Sequence, residues 1–231
     1  MTLVILVRHA HSTANAERIL AGRTEGVHLT SAGRRQAQRL SRRLGDIQLR
    51  TLRSSPLIRC EETITPWLNS REDVPSLRFD EDLAEVDYGT WTGRKLGALV
   101  KEPLWKVIQS TPSRVKFPQG ESMKEMQNRA MGAVERALKA RGKGAVLLVS
   151  HGDVLKSIVA AALNLHLDEF QRIVIDPASI SILDFSGNQA RILLLNDSYS
   201  RIQLSSLHAR GVQALVGGGP GAKTRDPKRR S

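Results

Sequence analysis

The 231-residue chain contains a single cysteine, Cys60. A lone thiol forms no intrachain disulfide, so a reducing, cytoplasmic setting is expected. Aromatic residues are scarce too, at 4%. None interleaves with the basic clusters, which leaves no evident platform for stacking bases. Long apolar runs are missing: nothing approaches the roughly eighteen residues a membrane helix needs, and the first residues lack a signal-peptide layout. No membrane association is expected. Acidic residues are in deficit, 23 against 35 lysines and arginines, for a formal charge of +12. That imbalance raises nucleic acid as a partner. Its distribution argues otherwise. Residues 223–231 carry five basic side chains and one acid, a tail of net +4. Arg34, Arg35, Arg39, Arg42 and Arg43 share one predicted helix, opposite Ala37, Leu40 and Leu44, as on a solvated face. Nucleic acid is therefore not expected, whereas small anions would be drawn to the protein.

What is present centres on one stretch, Leu3-Val-Ile-Leu-Val-Arg8-His9-Ala10-His11-Ser12-Thr13-Ala14-Asn15. The apolar run reads as a strand buried on both faces, as in the middle of an α/β sheet. A guanidinium, two imidazoles, hydroxyls and an amide follow at once, at the strand end where α/β sheets bind ligands. Arg offers a fork to phosphate oxygens, and an imidazole can serve as nucleophile, base or metal ligand. Capping of the strand by Arg8 and His9, with no chemistry, is the bland alternative.

Along the chain, Thr30 caps a predicted helix that Gly45 stops near Leu44. A strand over residues 47–54 leads through Ser55-Pro56 into a helix to Thr63. A short strand at Leu77–Phe79 precedes the loop Leu83–Gly93. Residues 94–120, broken by Pro103, Pro112 and Pro118, read as an insertion covering a site. A long amphipathic helix over 122–141 precedes a buried strand at 144–149. Ser150-His151-Gly152 then repeats the first design of strand, histidine and helix. Strands at 180–185 and 190–195 form a hairpin at the sheet edge. Residues 1–200 are thus predicted to be one three-layer α/β/α domain with a mostly parallel sheet and one antiparallel edge strand. Residues 201–231, polar, then Gly/Pro-rich, then basic, are predicted to be largely disordered.

Several motifs do not survive inspection. Gly217–Thr224 resembles a phosphate-binding loop, but Ala222 precedes its lysine and Pro227 blocks the helix that must follow. Asp80-Glu81-Asp82 suggests a magnesium-dependent phosphohydrolase after too weak a strand. Cys60 lacks the arginine a cysteine phosphatase needs, since position 66 is Pro66. His9 and His11 point to opposite sides of a strand exit beside a repelling Arg8, so no metal site is expected.

Four segments remain, each placing an ionisable group at a strand end or helix start. They are Arg8-His9, Ser54-Ser55-Pro56-Leu-Ile-Arg59, Leu83-Ala-Glu85-Val-Asp-Tyr-Gly89-Thr-Trp91-Thr-Gly93 and Ser150-His151-Gly152. Together, and in this order over residues 2–200, they resemble the histidine phosphatase superfamily in its phosphoglycerate mutase-like branch. Leu20-Ala-Gly-Arg-Thr24 and Asp176-Pro-Ala-Ser-Ile180 are similar to an actinobacterial subgroup of phosphatases and phosphomutases. The resemblance implies a phosphoglycerate mutase-like fold and a phosphohistidine formed at His9. Arg8, Arg59 and His151 match the residues that bind the phosphoryl oxygens, with Asn15, Ser12 and Arg23 at the rim. Glu85 matches the general acid, with Asp87 its nearest rival. No cofactor is implied, because arginines supply the charge that a metal supplies elsewhere.

Ala10 departs from the family's usual glycine, which predicts strain if that backbone needs a positive φ. The acid loop is similar to the phosphatase version, so a phosphomonoesterase acting on a small phosphorylated metabolite is expected. A mutase is the alternative, with Arg23 and Arg94 as candidates for its second anion site. The non-enzyme alternative is a phospholigand- or nucleic-acid-binding module. A homodimer is open to such a chain.

Overall fold

A computed structural model describes residues 2–204. Its centre is β1 (Leu3–Arg8), whose apolar residues are all buried. Next come α1 (Thr13–Glu17), α2 (Ser31–Leu44), β2 (Leu49–Ser54), α3 (Ile58–Leu68) and β3 (Leu77–Phe79). They are followed by α4 (Leu96–Leu99), α5 (Pro103–Ser110), α6 (Met123–Leu138), β4 (Ala145–Ser150), α7 (Gly152–Ala162), β5 (Ile180–Asp184) and β6 (Arg191–Asp197). The six strands lie in the order β3-β2-β4-β1-β5-β6. β3, β2, β4 and β1 run parallel, and β5 opposes both β1 and β6. The expected antiparallel strand is β5, and β6 returns outside it to form the edge.

Alternation along β1 sets the three layers, because successive side chains leave opposite faces of a strand. Val4 and Leu6 join a core with α6 and α7 through Ala130, Val134, Leu155 and Ile158. Leu3, Ile5 and Val7 join another with α2 and α3 through Leu40, Leu44, Ile64 and Trp67. Two boundaries differ from expectation. α3 runs past Thr63 to Leu68 with Pro66 in its last turn, because Trp67 is buried and its Nε1 donates to Gly45 O at 2.9 Å. The chain also stays packed beyond residue 200: Ile202 is buried and its N–H donates to Arg43 O at 2.8 Å. The basic stretch 223–231 lies outside the described residues. Among the described residues, no helix is long and apolar enough to cross a membrane.

Candidate active site

β1 and β4 pair in parallel with Arg8 opposite Ser150. The next residue on each strand is a histidine, so His9 and His151 emerge side by side with ring centroids 5.1 Å apart. Both are buried. His9 Nδ1 lies 2.8 Å from Ala10 O. A carbonyl only accepts, so Nδ1 carries the proton and Nε2 keeps its lone pair. Burial first, then the charges of Arg59 and Arg8, hold this imidazole well below its ordinary pKa of 6.5. His9 is therefore neutral, with the lone pair of Nε2 available. The strain expected at Ala10 is not there. Its φ is not positive, and its methyl is buried against Leu29, Ala37 and Ala178.

His151 Nε2 lies 2.7 Å from Ser55 Oγ, which also accepts from Leu57 N–H at 3.3 Å. With the serine hydroxyl donating to Nε2, the proton sits on Nδ1. Burial, then Arg59, His9 and Arg8, lower the pKa of this ring as well. Arg59, on the first turn of α3, is only 2% exposed, and its Nη2 donates to Gly22 O at 2.7 Å. Arg8 Nη1 donates to Ile175 O at 2.6 Å. Each guanidinium is thus anchored through one nitrogen. Arg8 Nε, Arg59 Nη1 and His151 Nδ1 remain buried with no hydrogen-bond partner. Buried donors without acceptors are costly, and these belong to residues that line one pocket or adjoin it. Gly152 keeps the cluster tight: a Cβ there would lie 3.2 Å from Arg8 Cζ.

Glu85 reaches the same pocket, its Oε2 3.9 Å from His151 Nδ1. Burial, then the negative charge of Asp153, pushes its carboxyl up to about 7, against Val86 N–H and the two arginines. A carboxyl half-protonated near neutrality can give a proton and take one back. Its loop is held from behind by Arg129 of α6, whose Nη1 donates to the carbonyls of Asp82 and Ala84 at 2.8 and 2.7 Å. Arg129 Nη2 donates to Glu85 O at 3.1 Å and to Glu121 Oε1 at 2.6 Å, and Nε donates to Glu121 Oε2 at 2.9 Å. Glu121 Oε1 also accepts Asp87 N–H at 2.8 Å.

The remaining predicted residues divide. Ser12 and Asn15 line the pocket and are locked together, Asn15 Oδ1 accepting from both Ser12 N–H and Ser12 Oγ at 3.0 Å. Arg23 does not line it. Its Nε donates to Glu85 O at 3.0 Å and its Nη2 to Glu121 at 3.2 Å, so it braces the acid loop instead of a phosphate. Arg94 is likewise committed, to Glu102 at 2.5 Å. Asp87 accepts from Gly89 N–H and faces no pocket atom. His11 Nδ1 bonds Thr30 Oγ1, and the side chain lies in a different surface groove from His9. Asp80 and Asp82 pair with Arg53 and Arg136 in a structural ion cluster. Cys60 is buried 3.5 Å from His151 Nε2, its thiol pushed up to about 12 by burial, which suits packing and not attack.

The cavity holds about 390 Å³ and extends past the predicted residues. Leu96, from the segment expected to cover the site, lines its mouth. So do Asp153 and Lys156 of α7, and the stretch from Gln171 to Asp176 except Arg172. Sequence reasoning missed these, along with Glu121 and Arg129. The pair sits eight residues apart across a loop and a helix start, a spacing with no local periodicity. The only local signal was the cap of Ser122 and Glu125, which marks where α6 begins.

An α/β sheet with paired histidines and paired arginines around one pocket at its carboxyl edge defines a phosphoryl-transfer enzyme. Residues 4–198 match the histidine phosphatase superfamily (branch 1), and the chain belongs to it. Phosphoester chemistry through a phosphohistidine is general to that superfamily. It is 30% identical over 205 residues to Phosphoserine phosphatase 1 of Hydrogenobacter thermophilus, covering 85% of this chain and 92% of the relative. It is 30% identical over 192 residues to "Probable phosphoglycerate mutase GpmB" of Salmonella choleraesuis, covering 82% and 87%. Among solved structures, Bacillus stearothermophilus YhfR superposes with a TM-score of 0.80 at 28% identity, over 88% of this chain and all of that one.

Proposed function

We propose that the chain hydrolyses a small phosphomonoester by in-line attack of His9 Nε2 on phosphorus. The observation that carries this reading is the set of three unpartnered buried donors, on Arg8, Arg59 and His151, beside a neutral histidine. Phosphoryl oxygens would satisfy all three, and the two guanidiniums would carry the charge of the transition state. The Asn15 side-chain amide adds a neutral donor at the rim, oriented by the two hydrogen bonds that its Oδ1 accepts from Ser12.

In the first step the phosphorus–nitrogen bond forms as the ester P–O bond breaks, and protonated Glu85 gives its proton to the departing alkoxide. In the second, water attacks phosphorus and gives a proton to Glu85. The phosphorus–nitrogen bond breaks, and neutral His9 returns. The positive charge needed comes from side chains, so the reaction proceeds without a metal. Phosphatase is favoured over mutase by one observation: Arg23 and Arg94, the candidates for a second anion site, are both bonded to carboxylates.

The test is phosphate release from a panel of phosphomonoesters in excess EDTA, with an acid-quenched search for phosphohistidine. Turnover that survives EDTA, is blocked by vanadate and is lost in His9→Ala is expected. Loss of turnover with EDTA and its return with Mg²⁺ would refute the metal-independent route.

A further inference from the structure

The outer half of the pocket differs in chemistry from its floor. Its cation, Lys156, is already engaged: Nζ donates to Gln171 Oε1 at 2.6 Å, lies 3.7 Å from Asp153 Oδ1 and sits 4.3 Å over the Phe170 ring. Two carboxylates share the mouth. Asp153 accepts from Tyr88 OH at 2.9 Å, and Asp176 accepts from the Asn196 side-chain amide at 2.9 Å. Among the residues that line the pocket beyond Arg8 and Arg59, one engaged lysine faces two aspartates; the arginines nearest Asp176, Arg39, Arg42 and Arg43, line the neighbouring groove and not this pocket. The rest of its wall is apolar, formed by Ile19, Leu20, Leu96, Ile173, Val174 and Ile175. Val174 is 60% exposed, a large apolar side chain left to water at the entrance.

We propose that this pocket selects phosphomonoesters whose alcohol is uncharged and presents an apolar body, and rejects those carrying a second anionic group. The inference rests on the phosphomonoesterase reading above. A phosphate bound by Arg8 and Arg59 directs its ester oxygen outward, so whatever the alcohol bears meets Asp153, Asp176 and the aliphatic wall. A carboxylate there would lose water, gain no free cation and face two like charges. An alkyl chain would instead leave water against Ile173, Val174 and Leu96. Substrate preference is thus set by the side chains of residues 171–176, Leu96 and Asp153, none of which supplies a phosphate donor.

The experiment compares kcat/KM of the full chain for ethyl, butyl and hexyl phosphate and for phosphoglycolate. The alkanols are similarly basic, so their differences report the wall and not the leaving group. Each methylene that reaches the wall should raise kcat/KM about three- to fourfold, so hexyl phosphate should exceed ethyl phosphate by tenfold or more. Phosphoglycolate should fall at least tenfold below ethyl phosphate. Asp176→Lys, at an exposed position, should narrow that gap at least fivefold. Phosphoglycolate turned over as well as hexyl phosphate, or an alkyl series that is flat, would overturn the inference while leaving the phosphatase reading intact. Absence of turnover on all four esters, with no phosphohistidine formed, would overturn both.

Discussion

Glu85 supplies the sharpest prediction, because one substitution should speed nothing, slow one class of substrate and stabilise the fold. With its carboxyl pushed up to about 7, it is about 90% protonated at pH 6 and about 10% at pH 8. An alkyl phosphate leaves as a strongly basic alkoxide and needs that proton. p-Nitrophenolate leaves largely unaided. The ratio of kcat/KM for hexyl phosphate to that for p-nitrophenyl phosphate should therefore fall about tenfold between pH 6 and pH 8. Taking the ratio cancels the titration of His9, which both esters share, once each rate is corrected for the fraction of its own dianion. Glu85→Gln should slow the alkyl ester by about 10²–10⁴ and make the ratio independent of pH. Asp153→Asn, which removes the like charge next in weight to burial, should move the midpoint downward.

The same carboxyl links to stability with a definite sign. An acid whose folded pKa lies above its unfolded value of 4.5 binds its proton more tightly in the native state. The stability this gives is complete below pH 4.5 and is lost as pH rises through about 7. At pH 8 the ionised, buried Glu85 costs the fold about 3 kcal/mol, so Glu85→Gln should unfold at higher temperature than the wild type at pH 8 and not at pH 4. Kinetics by continuous phosphate assay and melting by circular dichroism read the two effects. If Asp87→Asn, and not Glu85→Gln, removes the leaving-group dependence, the acid has been misassigned by two residues.

Other outcomes follow from the same geometry. Arg59→Ala removes charge stabilisation common to every ester and should lower kcat/KM by about 10²–10³ for alkyl and nitrophenyl substrates alike; a loss confined to alkyl esters would contradict its role as a clamp. Arg129→Met leaves the carbonyls of Asp82 and Ala84 without this donor and leaves Glu121 only Arg23 and the Asp87 N–H, costing about 2 kcal/mol in urea unfolding. Its activity should fall more on alkyl esters, and an equal fall on both would place Arg129 outside the acid's support. Gly152→Ala forces a methyl against Arg8 and should raise KM with little change in Tm; an unchanged KM would show that Arg8 has room to yield.

The residues legible in the sequence were those whose placement is written locally. Arg8, His9 and His151 stand directly at the ends of apolar strands, and Arg59 and Glu85 follow recognisable turns. Burial and register do the rest. What was not legible depends on contacts across the fold. Arg23 reads as a phosphate ligand in its loop, yet three dimensions place Glu121 and the Glu85 carbonyl beside it. Residues 171–175 carry no motif, because a wall needs only apolar bulk at the right place, and Asp176 reads only as the start of Asp176-Pro-Ala-Ser-Ile180. The helix after Ser55-Pro56 reads as ending at Thr63, but it runs to Leu68, and burial of Trp67 outweighs the hydrogen bond missing at Pro66. Ala10 reads as a source of strain because composition does not report φ.

The pairing of Arg8 with Ser150 also bears on how this enzyme fails. His9 and His151 ride on the two innermost strands, whose amides are expected to exchange with solvent last of all. The two histidines therefore have no low-energy route to local opening, and any early loss of catalytic competence in denaturant should come from the Glu85 loop and not from them. The mouth is built from α4 and the segment between α7 and β5, outside the sheet. It can be recut for another alcohol with the two central strands in place, provided that the Ile175 carbonyl, which holds Arg8, keeps its position.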